Sequence, residues 1–228
     1  MDSLPPSHQH PNHSSGRPSS RPSGRKGNIK VTREDWIKAA IELLITKGID
    51  HVKILNIGKK LNVARSSFYG YFQDQNDLHN ALLEEWHNRN TINLITEATT
   101  PCATITEAVL RVFRCAVNPT QFDIPLDFAI RDWARKSDNI ASRIIASDKD
   151  RIAALTRMFE HYGFPPMESG TRARVIYFMQ TGYNDAVIKE DMKNRLMLVP
   201  DYVRIFTGKD ASQEELDAFT AYVVSVSA

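Results

Sequence analysis

The segment from Lys53 to Phe72 contains the residue types that bind a polyanion. It reads KILNIGKKLNVARSSFYGYF and has no aspartate or glutamate. Its basic and hydroxyl side chains are Lys53, Lys59, Lys60, Arg65, Ser66, Ser67, Tyr69 and Tyr71. Lysine, arginine and hydroxyl groups donate hydrogen bonds to phosphate oxygens, and arginine also pairs with guanine through two hydrogen bonds. The chemistry available to this segment is therefore the recognition of phosphates and of base edges.

The hydrophobic residues divide this segment into two short helices. Ile54, Ile57 and Leu61 lie on one helical stripe. Phe68 and Phe72 form the inner stripe of a second short helix. Asn62 lies between the two and tolerates the left-handed backbone that a sharp turn requires. The exposed face of the second helix is then made by Arg65, Ser66, Ser67, Tyr69, Gly70 and Tyr71. Two short helices joined by a tight turn predict a helix-turn-helix.

A preceding helix completes this small domain. Thr32 is a good N-cap, and Asp35 three residues later forms a variant of the capping box. Apolar residues then recur at helical spacing until Gly48, a residue type that commonly ends a helix. The first helix is therefore predicted over residues 32–47, and the three-helix domain over residues 31–75.

Residues from Val31 to about Leu83 resemble the DNA-binding domain of the TetR (tetracycline-repressor) family. The likeness is clearest in NVARSSFYGYFQDQNDL, which matches that family's turn, recognition helix, Tyr-x-x-Phe pattern and start of a fourth helix. It implies that the protein binds double-stranded operator DNA. The residues predicted to contact this DNA are Lys53, Asn56, Arg65, Ser66, Ser67, Tyr69, Gly70, Tyr71 and Gln75. Two alternatives stay open: Tyr69 contacts a phosphate or packs in the core, and Arg65 binds a guanine or only a phosphate.

Four positions depart from the family's pattern. Members commonly carry Ser or Thr in place of Lys53, Gly in place of Asn62, Ser in place of Ala64 and Lys in place of Gln75. Lys53 and Ala64 leave two helix N-termini without a side-chain cap, at a cost of about 1 kcal/mol each. Gln75 lacks the charge that touches a phosphate in relatives, so operator affinity is expected to depend more on the N-terminal arm.

The first 30 residues are predicted to be a disordered basic arm. They hold five prolines, seven serines and three glycines, a composition that cannot bury enough surface to order the chain. Charge follows a similar division, because residues 1–72 carry 12 lysines and arginines against 5 acidic residues, whereas residues 73–228 carry 17 against 22. Arg25 and Lys26 are the arm residues predicted to contact DNA; the alternative is a passive, solubilising tail.

Residues 76–228 are predicted to form an all-α effector-binding and dimerisation domain. Helical periodicity runs over residues 74–97, 104–117, 124–136, 139–162, 169–191, 200–207 and 212–226. No convincing alternating pattern indicates a strand. Neither a signal peptide nor an apolar run of membrane-spanning length is present, so a cytoplasmic protein without a membrane partner is expected.

Nothing in the sequence predicts catalysis or a bound metal. The motifs GxSxG, HExxH, GxGxxG and the P-loop do not occur. Cys102 and Cys115 are not arranged as CxxC, and Cys115 lies in a helical pattern where a thiol behaves as a small hydrophobe. An enzyme, a catalytic site, a cofactor and a metal site are therefore not predicted.

The last helices carry more apolar residues than one chain is expected to bury. By resemblance, the dimer of this family is a four-helix bundle made from two C-terminal helices of each subunit. The predicted interface residues are Val175, Phe178, Met179, Gly182, Ala186, Leu216, Phe219 and Val223. Packing within the protein's own core is the alternative. A two-fold homodimer would also read two half-sites, whereas one short helix reads too few bases.

The middle helices carry aromatic and polar residues that the resemblance assigns to an effector pocket. They are Trp86, Asn90, Phe113, Phe128, Arg131, Trp133, Tyr177, Gln180, Tyr183 and Asn184. Each aromatic has the alternative of a place in the core. The sequence as a whole predicts a homodimeric, one-component transcriptional repressor that binds a near-palindromic operator and is released by an unidentified small molecule. The competing interpretation is a helical ligand-binding or enzymatic protein whose helix-turn-helix has lost its affinity for DNA.

Overall fold

The computed structural model describes residues 31–186 and 190–227. The predicted basic arm, with Arg25 and Lys26, lies outside the described residues. Within them every regular element is a helix and no strand occurs, which confirms the all-α class. In the same part of the chain, no helix is both long enough and apolar enough to cross a membrane.

The α-helices of the described chain follow one another through short connections. In order they are α1 (Arg33–Lys47), α2 (Ile54–Leu61), α3 (Gln75–Trp86), α4 (Asn93–Thr99), α5 (Ile105–Val117), α6 (Ile124–Ala134), α7 (Asp138–His161), α8 (Pro166–Asp185), α9 (Met192–Thr207) and α10 (Gln213–Ser227). A 3₁₀ helix, Arg65–Gly70, takes the place of the predicted recognition helix and is called the recognition helix. A π-helical segment, His87–Ile92, joins α3 to α4, so one long helix runs from Gln75 to Thr99.

The first helix begins as its sequence predicts. The Asp35 amide donates to Thr32 Oγ1 at 3.2 Å, and the Thr32 amide donates to the Asp35 carboxylate at 2.8 Å. This reciprocal pair is the predicted capping box, and it satisfies backbone amides that the first turn of a helix leaves without partners. Hydrogen bonds from Thr32 to the ionised carboxylate also lower the pKa of Asp35. The helix ends before Gly48, whose φ is 80°.

Two hydrophobic cores hold the helices together. The head, defined as residues 31–86, has a core around Trp36, Phe68 and Leu78, which are all fully buried. Helices α6 and α7 extend this core from the other side through apolar residues that include Leu126 and Ile130. The rest of the described chain is called the body. The head therefore shares one continuous core with helices of the body and is fixed against them.

The second core lies within the body. It is formed by apolar residues of α4, α5, α7, α8, α9 and α10; α7 and α8 pack along each other, and α10 lies against α5. Cys115 is fully buried here, and burial raises the pKa of its thiol to about 12. The thiol stays protonated at neutral pH and packs as a small apolar group, as predicted.

Helices α8 and α9 differ from their predicted bounds. Helix α8 ends at Asp185, whereas the pattern extended to residue 191; residues 187–189 lie outside the described chain. Helix α9 begins well before residue 200 and carries Pro200 in its interior. Proline removes a backbone hydrogen bond and usually marks the edge of a helix, so the first half of α9 was missed. Burial of Val199 and Val203 on either side of Pro200 keeps the helix against the core.

Candidate DNA-binding surface and ligand cavities

The turn between α2 and the recognition helix is set by Asn62 and Gly58. Asn62 has a left-handed φ of 55°, and it is the one non-glycine residue with positive φ among residues 31–186 and 190–227. The Val63 amide then donates to the Gly58 carbonyl at 2.9 Å. A Cβ on Gly58 would lie 3.2 Å from the Val63 carbonyl oxygen, so glycine lets the turn close tightly against α2. The predicted sharp turn at Asn62 is confirmed.

The inner side of the recognition helix anchors it to the head. Phe68 is fully buried and Phe72 nearly so. Phe68 lies edge-on to the Trp36 indole, with ring centroids 5.3 Å apart, and stacks on Phe72 at 5.1 Å. These contacts fix the orientation of a helix that is too short to be stable alone. Both phenylalanines therefore belong to the core, as the sequence indicated.

Arg65, Ser66, Tyr69 and Gly70 form the outer surface of the recognition helix, and all four are exposed. Tyr69 keeps 52% of its surface accessible, which decides against a place in the core. The Arg65 guanidinium donates from Nη2 to the Tyr69 hydroxyl at 3.1 Å. The remaining guanidinium N–H groups and the hydroxyl proton of Tyr69 stay available for an external acceptor. Since the recognition helix has no acidic residue, this surface suits an anion.

Four residues predicted to contact DNA use their polar groups inside the head. The Tyr71 hydroxyl donates to the Val31 carbonyl at 2.5 Å. The other three bonds run from Ser67 Oγ to the Ala64 carbonyl (2.8 Å), from Asn56 Nδ2 to the His51 carbonyl (3.0 Å) and from Gln75 Nε2 to the Val52 carbonyl (3.0 Å). Contrary to prediction, Tyr71 is half-buried and does not lie on the exposed face. Residues three apart lie on the same side of a 3₁₀ helix, so Tyr71 follows Phe68 inward.

The three lysines around α2 differ in how readily they can meet a phosphate. Lys53 and Lys59 are exposed and form no ion pair within the described chain. Lys60 pairs with Glu42 of α1 at 2.5 Å, so part of its charge is already compensated. Lys53 precedes α2 and Ala64 precedes the recognition helix; neither supplies a side-chain cap, as predicted.

Two adjoining cavities lie in the body along α8. The outer cavity has a volume of about 60 Å³ and lies between α5, α8, α9 and α10. The inner cavity has a volume of about 40 Å³ and lies mainly between α5, α6, α7 and α8. Phe113, Ala116 and Gln180 line both cavities. The two cavities therefore share a wall made of side chains and are together called the chamber.

The residues predicted to bind an effector divide between the chamber and the core. Phe113, Phe128, Tyr177, Gln180, Tyr183 and Asn184 line one or both cavities. The structure does not bring Trp86, Asn90, Arg131 or Trp133 to either cavity. Trp86 and Asn90 are fully buried against other residues, and Trp133 packs edge-on to His79 in the core of the head. For the two tryptophans this outcome is the alternative of a place in the core, since large aromatic groups also join helices there.

A buried ion cluster lies beneath the inner cavity. It consists of Asp127, Arg131, Asp148, Arg151 and Tyr177, and Arg151 is completely buried. Arg151 donates to Asp127 Oδ1 and to the Tyr177 hydroxyl, both at 3.2 Å. Arg131 bridges the two aspartates, at 2.7 Å from Asp127 and 2.8 Å from Asp148. The two arginines balance the two carboxylates, which is how charges persist in an interior.

The pKa values in the cluster follow from burial and from these charges. Burial alone would raise the pKa of Asp127, but Arg151 and Arg131 outweigh burial and leave it below the ordinary value. Burial is the main reason that the pKa of Tyr177 rises to about 12. At neutral pH Asp127 is therefore ionised and Tyr177 is protonated. The Tyr177 hydroxyl donates a hydrogen bond to Asp148 Oδ1 at 2.5 Å.

The ion cluster reaches the head through the π-helical segment. Arg151 donates to the Thr91 hydroxyl at 3.0 Å, and its guanidinium lies over the Trp86 ring, 5.2 Å from the centroid. Trp86 donates from Nε1 to Asp127 at 2.7 Å. Trp86 ends α3, and the rest of α3 contributes Leu78 to the core of the head. A continuous set of contacts therefore joins the inner cavity to the head.

The residues predicted for a dimer interface fall into two groups. Phe219 and Val223 are 2% and 1% exposed, because α10 packs against α5, and Leu216 contacts the same core. This corrects the prediction for α10: its apolar stripe belongs to the protein's own core. On α8, Met179 lines the outer cavity. The exposed residues of the predicted set are Val175, Phe178, Gly182 and Ala186.

Comparison with known proteins finds likeness in sequence at the head and in fold along most of the chain. Residues 37–82 match the family described as bacterial regulatory proteins, tetR family. The crystal structure of Mycobacterium smegmatis AmtR is similar with a TM-score of 0.60 and 17% identity, over 88% of this chain and 98% of AmtR. No curated protein sequence matches the chain. Residues 37–82 therefore form a domain of the kind found in bacterial regulatory proteins of the tetR family, and this domain carries the exposed cationic recognition helix.

Proposed function

We propose that the protein is a homodimeric transcriptional repressor that binds a near-palindromic operator and releases it when a small molecule occupies the chamber. The outward face of the recognition helix carries this proposal, because Arg65 and Tyr69 are exposed there and hydrogen-bonded to each other. Such a surface suits the major groove, where arginine pairs with guanine and hydroxyl groups contact phosphates.

A dimer follows from the small size of the recognition helix, since one copy reads few base pairs. Two copies related by a two-fold axis would meet half-sites about 34–36 Å apart or a multiple of that spacing. Support comes from α7 and α8, which pack along each other and expose Ile145, Val175 and Phe178 by 68%, 49% and 55%. A contiguous patch of exposed apolar side chains is typical of a protein interface. We therefore expect α7 and α8, without α10, to form the dimer contact.

Release by a ligand is supported by the size of the chamber and by its contacts. Cavities of about 60 and 40 Å³ are smaller than the roughly 150 Å³ cavity that admits benzene. A larger molecule would enter only when α8 moves away from its neighbours, so it would select a widened arrangement. Tyr177 and Asp127 line the chamber and contact Arg151, which contacts Trp86 at the end of α3. Widening would therefore reposition the head.

The decisive experiment is fluorescence anisotropy of the full-length protein with the DNA that flanks its own gene, at two salt concentrations. Binding is expected to be tight, selective against unrelated DNA and much weaker at the higher salt concentration. Weak binding that ignores sequence would favour the competing interpretation, a helical ligand-binding or enzymatic protein with a degenerate helix-turn-helix.

A separate measurement addresses the dimer. Phe178→Glu on α8 should convert the protein to a monomer in analytical ultracentrifugation, because it places charges in the expected contact. Val224→Glu is the matched control, since Val224 is 61% exposed on α10 and should tolerate the same change. A dimer that survives Phe178→Glu and dissociates with Val224→Glu would reverse the assignment of the interface.

A further inference from the structure

We propose that the chamber takes one uncharged ligand with an apolar body and an adjacent hydrogen-bond donor and acceptor, as in a carboxamide. This inference rests on the proposed function, because it names the class of molecule that would act at the same chamber. Two observations lead to it: the polar groups lie along one wall of the chamber, and the carboxylate at the inner cavity is already paired with two arginines.

The polar wall of the chamber is one side of α8. Tyr177, Gln180, Thr181 and Asn184 all line the inner cavity. Their spacing of three and four residues places them on one helix face. The walls provided by α5, α6, α9 and α10 are mainly apolar and include Phe113, which lines both cavities. A ligand that fits all walls therefore has a polar edge and an apolar remainder.

The amides of Gln180 and Asn184 leave an acceptor and a donor for a ligand. In the part of the chain that the structure describes, they make one hydrogen bond, from Gln180 Nε2 to Asn184 Oδ1 at 2.8 Å. Gln180 Oε1 can therefore accept a hydrogen bond, and Asn184 Nδ2 can donate one. A carboxamide supplies the complementary N–H and C=O groups.

The charged groups around the chamber differ in their partners. Asp127, at the inner cavity, is bound by both arginines of the buried ion cluster. At the outer cavity, the Glu190 carboxylate accepts from the Tyr183 hydroxyl at 2.5 Å, and the Arg195 guanidinium lies over the same ring, 4.9 Å from its centroid. At the inner cavity a charged ligand group would be buried without a free counter-charge, which is costly. An uncharged ligand avoids that cost.

Three probes of equal chain length test the ligand class: octanamide, octanoate and octylammonium. Binding to the full-length protein, without DNA, is measured by isothermal titration calorimetry at neutral pH. Octanamide is expected to bind at least about tenfold more tightly than either ion, because the ions lose hydration without gaining a partner. The proposal is overturned if either ion binds as tightly as octanamide, or if octanamide does not bind up to its solubility limit.

A pair of leucine variants locates the polar edge. Asn184→Leu should weaken octanamide binding about fivefold, which is the loss of affinity expected when one hydrogen bond is removed. Asn194→Leu is the matched control, because Asn194 is exposed on α9 and lines neither cavity. Circular dichroism verifies that both variants keep their helix content. An equal loss of octanamide affinity in the two variants would refute the role of α8 as the polar wall of the chamber.

Arg195→Gln tests whether a charged side chain at the outer cavity contributes to ligand binding. In this variant octanamide should still bind at least about tenfold more tightly than octanoate. Weaker octanamide binding, or an octanoate preference that disappears with Arg195, would replace the uncharged class by an anionic one. The result is separable from the proposed function, because calorimetry reports occupancy without DNA and anisotropy reports operator binding without ligand. Octanamide binding by a protein that ignores operator DNA would refute the repressor and retain the ligand class.

Discussion

The head and the body of this protein use their cationic side chains in opposite ways. In the head, Lys59 and Arg65 are exposed, and within residues 31–186 and 190–227 the one hydrogen bond of the Arg65 guanidinium is to the neutral hydroxyl of Tyr69. In the body, Arg131 and Arg151 are paired with two aspartates; Arg151 is completely buried, and Arg131 is half-buried. An exposed cation stays available to an external polyanion, whereas a buried pair is committed to the fold. Arginine content therefore does not identify a binding surface; the partners of each arginine do.

The largest effect on the free energy of unfolding is expected from removing the buried cation of the body, Arg151. Arg151→Met would leave Asp127 and Asp148 with one arginine between them, and the expected loss is about 3–5 kcal/mol in the free energy of unfolding. Urea denaturation followed by circular dichroism measures it. Arg157→Met is the matched control, because Arg157 is exposed on the same helix and its loss should stay within about 0.5 kcal/mol. Similar losses in both variants would contradict the importance of the ion cluster.

Removing an exposed cation should give the reverse result. Arg65→Ala is expected to change the free energy of unfolding by less than about 0.5 kcal/mol and to weaken operator binding by about 1–3 kcal/mol. Anisotropy with operator variants then separates the two open roles of Arg65. Lost preference at one base pair indicates contact with guanine, and uniform weakening indicates contact with a phosphate. Unchanged affinity for every operator would contradict contact between this helix and DNA.

The turn before the recognition helix should contribute less to the free energy of unfolding than the buried Arg151 does. Asn62→Ala forces an alanine into the left-handed backbone and should lower the free energy of unfolding by about 1 kcal/mol. Asn62→Gly serves as its control, because glycine adopts this conformation without strain and should retain most of the stability. Urea denaturation compares the two. If alanine were tolerated as well as glycine, the backbone at this turn would not be strained.

The smallest predicted effect distinguishes two neighbouring lysines. Lys59→Gln should reduce the slope of log affinity against log salt by about 1, the value of one phosphate contact. Lys60→Gln should reduce it less, because Lys60 is paired with Glu42. Anisotropy at several salt concentrations measures both slopes. Equal reductions would indicate that DNA displaces Glu42 from Lys60.

Local sequence patterns were sufficient for the main elements of the head. The capping box at Thr32, the left-handed turn at Asn62 and the buried Phe68 all depend on near neighbours in the chain, and all three were predicted. The inward direction of Tyr71 was not, because it depends on 3₁₀ geometry. Over six residues, helices with 3.0 and 3.6 residues per turn differ by only about a third of a turn. A pattern of that length cannot separate them.

Contacts between segments that lie far apart in the chain could not be predicted from the sequence. Asp127 and Arg131 are four residues apart, and Asp148 and Arg151 are three apart, which was the available signal for the ion cluster. Pairs with this spacing usually lie on solvated helix faces, so the pattern alone did not indicate burial. The stripe that includes Phe219 posed a related problem. Periodicity shows that one helix face is apolar but not whether it packs against the same chain or a second copy.

The long helix from Gln75 to Thr99 has a consequence for how this protein can vary. A π turn holds one residue more than an α turn, so it rotates everything beyond it by about 100° relative to an uninterrupted helix. Trp86 before this turn and Leu94 after it are both buried, so neighbouring helices fix the phase on each side. Exposed positions such as Asn88 can therefore accept many side chains. The number of residues between Trp86 and Leu94 is fixed, because deleting one of them would rotate the head relative to the body.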